Sequence, residues 1–178
     1  MKSLIFTGAS FLTSIASNIP RITRNVEDMA RTYGRKISFG DRVRHTFPRP
    51  GELGDEAGLR ALKIGFRARY LSQAARLARD GRLEGIRRLA LDDARAALME
   101  LPGVAEKVAD CVLLFAYGRL AAFPVDTWIR KVMTRLYFKG KRVPDGDIRA
   151  FAADRWGPWA GYAQQLLYHW SRTLPKSP

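Results

Sequence analysis

Two charged side chains stand where this sequence could support covalent chemistry. Lys107 falls in the first turn of a strongly apolar segment, where desolvation favours the neutral amine, and a neutral amine is a nucleophile. Cys111 and Phe115 follow at i+4 and i+8, so an amine, a thiol and an aromatic ring share one helix face. Asp126 stands where a helix N-cap belongs, and a carboxylate held ionised there could stabilise a developing cation. The structural alternatives are a lysine that extends to solvent and a simple cap.

A glycine-containing turn precedes this segment. Leu101-Pro102-Gly103-Val104-Ala105 joins two predicted helices. The free backbone N–H groups at the start of a helix lie at the positive end of its dipole and bind phosphate well. Any helical hairpin needs such a turn, so this feature alone is weak support for contact with DNA.

The elements that must position these residues are helical by hydrophobic periodicity, and no segment shows the sustained alternation of a half-buried strand. Residues 40 to 54 are rich in Gly and Pro and are predicted to be a loop at the boundary between two lobes. The predicted helices cover the first 16 residues, Pro20 to Arg31, Asp55 to Leu62, Phe66 to Ala78, Glu84 to Leu89, Asp92 or Asp93 to Glu100, Lys107 to Tyr117, Thr127 to Phe138, Asp147 to Arg155, and a last helix to Arg172.

The charge balance indicates a polyanionic partner. The chain has 178 residues, with 31 Lys and Arg against 17 Asp and Glu and a formal net charge of +14. Most of the cations are arginine, whose planar fork suits phosphate, so nucleic acid is favoured over an anionic membrane surface or plain solubility. The single cysteine, Cys111, excludes an internal disulfide framework, a Cys-rich zinc site and an iron–sulfur cluster with four thiolate ligands.

The N-terminal segment has the outline of a short signal peptide, but its apolar residues recur at helical spacing and polar residues interrupt them. We interpret it as an amphipathic helix of the domain. No apolar run approaches the ~18 residues that span a bilayer. We therefore expect a cytoplasmic, nucleoid-associated protein with no membrane contact, and a monomer.

Several motifs, in this order along residues 11 to 170, together resemble the helix-hairpin-helix (HhH-GPD) DNA glycosylase superfamily. Within it the sequence is most similar to the 8-oxoguanine DNA glycosylase/AP lyase family. The motifs are NIPRI at 18–22, GFRARY at 65–70, LPGVAEKVADC at 101–111, FPVD at 123–126 and WGPWAGYAQQLLY at 156–168. The resemblance implies an all-α fold of two helical lobes flanking an active-site cleft. It implies one catalytic domain over 1–178, with the hairpin at about 92–117 and the Gly/Pro-Asp loop at 118–126.

The resemblance also implies roles in a bifunctional enzyme of base excision repair. Lys107 would attack C1′ of a flipped nucleotide, expel 8-oxoguanine and form a Schiff base, and β-elimination would then nick the strand. Asp126 would stabilise the cationic sugar. The base pocket would be lined by Cys111, Phe115, Pro124, Gln164 and Tyr168, with Gln164 pairing with the base edge and Tyr168 stacking on its face.

The partner would be double-stranded DNA that contains an oxidised purine. Phe66 would insert as a wedge, and Arg21 and Arg67 would contact the base left behind. The other implied DNA contacts are Asn18, Gly103, Ala105 and Trp128. Catalysis would need no cofactor and no iron–sulfur cluster, and the carbonyls of Met99, Leu101 and Val104 could hold a structural monovalent or divalent cation.

Three departures from the family pattern bear on specificity. The sequence begins just before the helical core, so the N-terminal sheet domain of longer members has no counterpart in it. Ala16 stands where those members have an Asn that contacts the orphan cytosine, and Trp128 replaces a phosphate-contacting His. Two alternatives therefore stay open: a glycosylase for another oxidised or alkylated purine, and a non-catalytic DNA-binding module.

Overall fold

The computed structural model describes residues 2–15 and 17–173, with side chains from residue 8 onward. The chain divides into two compact units, Met1–Ala105 and Glu106–Pro178. The boundary predicted within residues 40–54 is therefore wrong, because that segment lies inside the first unit. None of the described helices is both long and apolar enough to cross a membrane.

The first unit is helical apart from one β-hairpin. Helix α1 packs against α2 and α4, and α3 packs against α4. The elements are α1 (Lys2–Ser14), α2 (Ile19–Tyr33), β1 (Lys36–Phe39), β2 (Arg42–His45), α3 (Glu56–Ala61), α4 (Arg67–Arg79), α5 (Arg82–Gly85), a 3₁₀ turn (Ile86–Arg88) and α6 (Leu91–Met99).

Local capping explains where two of these helices begin. The Asn18 side chain accepts a hydrogen bond from the N–H of Arg21 (3.0 Å), and that of Asp55 accepts one from Gly58 (2.8 Å). Both are side-chain caps of a first turn, and Pro20 fits there because its missing N–H would have no partner. The prediction that Asp92 or Asp93 caps α6 is wrong: the helix begins at Leu91, and the preceding Ala90 makes no side-chain cap.

The β-hairpin corrects the prediction that this segment contains no strand. Strands β1 and β2 pair antiparallel, with Lys36 opposite His45 and Phe39 opposite Arg42. Every residue of β1 is exposed, and all but the last residue of β2 are exposed. Both strands do alternate polar with apolar residues, as KISF and RVRH, but each run has only four residues and so falls short of a sustained alternation.

The second unit is built around one aromatic and aliphatic core. Its elements are α7 (Glu106–Phe115), α8 (Thr127–Leu136), α9 (Asp145–Trp156), a 3₁₀ turn (Gly157–Trp159) and α10 (Ala160–Thr173). Helix α10 packs against α8 and α9. The core residues are Phe123, Val125, Ile129, Met133, Ile148, Ala152 and Ala160. The side chains of Phe123 and Val125 are buried in this core, so they hold the segment that leads to Asp126 in place.

Candidate active site

The turn before α7 requires glycine for two independent reasons. Gly103 has φ +82°, and a Cβ there would lie 2.5 Å from the Tyr70 ring. The turn is closed by the N–H of Val104, which donates to the carbonyl of Leu101 (3.0 Å). Gly103 and Ala105 are exposed, so the backbone of the turn faces solvent just before a helix N-terminus. A chain held this way can receive an anion on its free N–H groups.

Lys107, Cys111 and Asp126 form one cluster in the second unit. Burial raises the pKa of the Cys111 thiol to about 11; Lys107, by its charge and by a hydrogen bond to the thiol, opposes that rise, and Asp110 and Asp126 add to it. Cys111 is 5% exposed, whereas Lys107 and Asp126 are partly exposed. The amine and the carboxylate are therefore close to the same buried thiol while both remain open to solvent.

Asp126 owes its position to the helix that follows it. Its Oδ1 accepts a hydrogen bond from the N–H of Ile129 (2.7 Å), which confirms the predicted N-cap of α8. The preceding residue, Val125, is 2% exposed and belongs to the core. A carboxylate placed between a buried strand-like segment and a positive helix end has little freedom, which suits it to act on a charge that forms nearby.

The residues expected to form a base pocket lie on α10, in the loop before α8 and on α7. Gln164 is 4% exposed, and its Nε2 donates to the carbonyl of Pro124 (3.1 Å), so these two residues are brought together across 40 positions of sequence. Tyr168 lies one turn further along α10 and accepts a hydrogen bond from Arg172 at its hydroxyl (3.0 Å). Phe115, at the end of α7, is 45% exposed. An exposed aromatic ring at this place is available to a ligand.

Glycine also allows the first turn of α10 to lie close to the loop before Asp126. Gly161 donates its N–H to the carbonyl of Leu120 (2.7 Å). A Cβ on Gly161 would lie 2.4 Å from Leu114 Cδ1, 2.8 Å from the Leu120 carbonyl oxygen and 3.0 Å from that of Ala122. The helix that carries Gln164 therefore packs closely on the loop that leads to Asp126.

In the first unit, Phe66 and Arg67 face different environments. Phe66 is 48% exposed and packs edge-on against Tyr70. Arg67 is 2% exposed, and its guanidinium donates to the carbonyls of Ile15 (2.6 Å) and Ile64 (3.4 Å). Burial, and after it the charge of Arg21, lowers the pKa of Arg67. The Arg67 guanidinium is therefore turned inward onto backbone carbonyls in this structure, and its contact with a base stays a prediction.

The remaining predicted contacts are distributed over both units. Asn18 and Arg21 are exposed at the start of α2, and Trp128 is 45% exposed in the first turn of α8. Among the carbonyls expected to hold a cation, that of Leu101 already accepts the Val104 N–H. No group of three or more His, Cys, Asp or Glu that could hold a metal occurs in the described part of the chain. Ala16 lies outside the described residues.

Sequence reasoning missed two features that only folding creates. Tyr70 is the last residue of the GFRARY motif, and its ring lies against Gly103. The only sign of this contact in the sequence is that residue 103 has no side chain. Arg130 forms a bidentate ion pair with Asp145 (2.8 and 2.7 Å). These residues are 15 positions apart in different helices, so no local spacing predicts their contact.

Known proteins resemble this chain over most of its length. No family model matches it. The chain is 35% identical to a probable N-glycosylase/DNA lyase of Methanothermobacter thermautotrophicus, over 90% of this chain and 59% of the relative. It is 34% identical to N-glycosylase/DNA lyase OGG1 of Arabidopsis thaliana, over 89% of this chain and 47% of the relative.

A solved structure is similar to this chain in both fold and sequence. The 8-oxoguanine glycosylase/lyase of Clostridium acetobutylicum, in complex with double-stranded DNA containing cytosine opposite 8-oxoG, has a TM-score of 0.87 and 31% identity, over 96% of this chain and 60% of that one. This chain thus spans between 47% and 60% of the length of these three proteins. The agreement in fold confirms the predicted helical class.

Proposed function

We infer the function of this chain from the family to which it belongs, the 8-oxoguanine glycosylases of the helix-hairpin-helix (HhH-GPD) DNA glycosylase superfamily. We propose that it is a bifunctional DNA glycosylase/AP lyase that excises 8-oxoguanine from duplex DNA. The observation that carries this proposal is the cluster of Lys107, Cys111 and Asp126, in which a partly exposed amine and a carboxylate lie around a buried thiol.

The chemistry requires the damaged nucleotide to leave the duplex, because C1′ is inaccessible within the base stack. The Lys107 nitrogen forms a bond to C1′ while the bond from C1′ to the base nitrogen breaks, and the departing base takes up a proton. Positive charge develops on the sugar during this step, and the Asp126 carboxylate stabilises it. The bound amine then loses a proton and the C1′–O4′ bond breaks, with O4′ taking up a proton, so that the sugar ring opens and a protonated imine forms between Lys107 and C1′. This imine loses a proton from C2′, and the C3′–O bond breaks with the 3′ phosphate as the leaving group.

The thiol in this cluster has a passive role in that reaction. Its pKa of about 11 keeps Cys111 protonated at neutral pH, so it does not compete with Lys107 as a nucleophile. A neutral thiol also avoids adding a second negative charge beside Asp126. Cys111 therefore lines the pocket as a small polarizable wall.

Recognition of the base would involve α10 and the end of α7. Gln164 would read the base edge with its amide, whose orientation is set by the hydrogen bond to Pro124. Tyr168 and the exposed Phe115 would contact the faces of the base by stacking. A pocket of this kind selects the base, whereas Lys107 determines the reaction, so the range of lesions is decided by these three side chains.

The exposed residues of the first unit would hold the distorted duplex. Phe66, half exposed and supported by Tyr70, would insert at the vacated position. Asn18 and Arg21 would contact DNA from the start of α2, and the N–H groups at Gly103 and Ala105 would bind phosphate. Trp128 would donate its indole N–H to phosphate. Arg67 would reach a base only by exchanging its carbonyl partners.

A structural cation at the hairpin is a secondary proposal. Carbonyl oxygens are suitable ligands for a monovalent ion or for Ca²⁺. The carbonyl of Leu101 would use its second lone pair, since the first accepts the Val104 N–H. Those of Met99 and Val104 would complete the protein's share. Such an ion would order the turn that carries Gly103 and would take no part in bond cleavage.

Borohydride trapping tests the reaction directly. We expect a covalent adduct between the protein and duplexes carrying 8-oxoguanine or an abasic site, because borohydride reduces the imine to a stable amine. Lys107→Ala should abolish the adduct. Lys36→Ala, which removes an exposed amine from β1, should leave it intact. An adduct that persists in Lys107→Ala, or no adduct with wild-type protein on either duplex, would refute the mechanism.

A duplex carrying an alkylated purine separates the alternatives. Trapping on that lesion in preference to 8-oxoguanine would assign the enzyme to another base. DNA binding with no adduct on any duplex would assign a non-catalytic module.

A further inference from the structure

A basic groove runs along the outer face of α8 in the second unit. It has a volume of about 520 Å³, and four of its lining residues are cations: Arg130, Lys131, Arg135 and Arg142. A neighbouring cavity of about 530 Å³ shares Arg130 and Arg142 with it and is also lined by Asp145. Two adjoining cavities thus present one strongly positive surface, and none of these cations has a role in the proposed chemistry.

The spacing of the groove follows from helix geometry. Thr127, Lys131 and Arg135 recur every four residues, so they lie in one row on α8. At ~1.5 Å per residue the row is about 12 Å long. Phosphates of one DNA strand recur about every 3.4 Å along the duplex axis, so a row of this length spans about three or four of them.

The groove also contains a built-in ion pair. Arg130 donates two hydrogen bonds to the Asp145 carboxylate (2.8 and 2.7 Å), joining α8 to the start of α9. The hydrogen bond with Arg130 lowers the pKa of Asp145, and Arg149 and Arg142 add to this by their charge. Asp145 is therefore ionised at neutral pH and offsets one positive charge, which leaves Lys131, Arg135 and Arg142 in excess.

The groove begins at the same helix end as the candidate active site. Asp126 caps α8, and Lys131 lies with its Nζ 5.7 Å from the centre of the exposed Trp128 ring. We propose that the groove binds consecutive backbone phosphates of the DNA strand, extending the contact from Trp128 along α8 to Arg142. The assignment rests on the proposed function for the identity of the strand, and on charge complementarity for the choice of DNA.

The salt dependence of binding to an undamaged duplex measures this contact. Each neutralised phosphate contributes about −0.9 to the slope of log K against log salt. Arg135→Gln combined with Arg142→Gln should therefore make the slope shallower by about 1.8 and weaken binding at low salt. Arg155→Gln is the matched control, since Arg155 is an exposed arginine at the far end of α9, and should change neither quantity. Lys131→Gln is the alternative variant to measure if the double variant folds poorly, and it should make the slope shallower by about 0.9.

A second substitution should increase the affinity for DNA. Asp145→Asn removes the carboxylate that neutralises Arg130, so binding should tighten and the slope should steepen by about 0.9. Asp154→Asn makes the same change on an exposed residue of α9 and should have no effect. Slopes for the groove variants that equal those of their controls would overturn the proposal, as would a change seen with duplex RNA and not with DNA.

Trapping on an abasic duplex at saturating protein distinguishes this proposal from the proposed function. The groove variants should keep the wild-type yield of adduct, because Lys107 is unchanged. Altered slopes together with no adduct in wild-type protein would support the groove and refute the lyase. Wild-type trapping together with unaltered slopes would support the lyase and refute the groove.

Discussion

Asp126 caps a helix in the structure, and we propose a chemical role for the same carboxylate; one substitution separates the two roles. The side chain caps α8 through the Ile129 N–H. Asparagine caps a helix as well as aspartate does, but it carries no charge to stabilise a cation. The capping role would therefore survive a change to asparagine, and the catalytic role would not.

For Asp126→Asn we expect single-turnover excision to slow by about 10²- to 10³-fold. The free energy of unfolding in urea should change by no more than about 0.5 kcal/mol. Asp55→Asn is the matched control, because Asp55 caps α3 in the same way through Gly58, and it should leave excision unchanged. An Asp126→Asn protein that excises at the wild-type rate would assign Asp126 to structure alone.

The Cys111 thiol gives a pH prediction of known sign. Its pKa is raised by burial from 9.0 to about 11, so an unfolded chain loses the proton first as pH rises. Below about pH 9 the thiol is protonated in both states and contributes no pH dependence. Between about pH 9 and 11 the thiol is ionised in the unfolded chain but protonated in the folded protein. Its ionisation therefore lowers the free energy of unfolding by up to about 1.4 kcal/mol per pH unit.

The measurement compares wild-type protein with Cys111→Ala in urea across pH 7 to 11. Other groups titrate in both proteins, so the difference between the two free energies isolates the thiol. That difference should be constant to about pH 9 and should then move against the wild type. A difference that stays flat to pH 11 would contradict the raised pKa.

Among the secondary-structure elements, one turn of the first unit and one helix of the second each contain a glycine whose missing side chain makes room for a neighbour. Gly103 allows the turn before α7 to lie against Tyr70, and Gly161 allows α10 to lie against the loop before Asp126. The first places backbone N–H groups for phosphate, and the second places Gln164 beside Pro124. The geometry of the site thus depends on close contact between elements as much as on the reacting side chains.

Gly161→Ala should lower the free energy of unfolding by about 1–3 kcal/mol, because the added methyl group overlaps Leu114 and two backbone carbonyls. Urea unfolding measures this loss, and excision of 8-oxoguanine should fall with it as α10 shifts. Gly146→Ala is the matched control in α9, where the nearest atom is the end of Arg149 at 4.0 Å. It should be neutral or stabilising by up to about 1 kcal/mol. Equal destabilisation by both would show that close packing at Gly161 is unimportant.

At the scale of the whole molecule, the net charge of +14 is not uniformly available to a partner. Arg67 is buried against carbonyls, Arg130 is paired with Asp145, and Arg149 is paired with Glu106 (2.8 Å). Surface pairs of this kind add little stability, but they remove charge from the surface field. The groove cations other than Arg130, which are Lys131, Arg135 and Arg142, are therefore a larger share of the usable charge than their number indicates.

Much of the site could be predicted because its interactions are local. Lys107 and Cys111 are one helical turn apart, and the caps at Asn18, Asp55 and Asp126 each join a side chain to an N–H three residues later. Such contacts depend only on the backbone conformation of one segment. The order of motifs along the chain then indicated the family.

Which groups are buried and which distant groups meet depends on how the helices pack. Arg67 bonds to a carbonyl 52 residues away, Gln164 to one 40 residues away, and Arg130 to a carboxylate 15 residues away. No spacing in the sequence encodes these contacts, because they exist only after helices have packed. The types of the candidate reacting residues and their local spacing can be read from the sequence. Packing determined that Arg67 turns inward and that the charges along α8 form a groove, since burial and long-range charge depend on the whole fold.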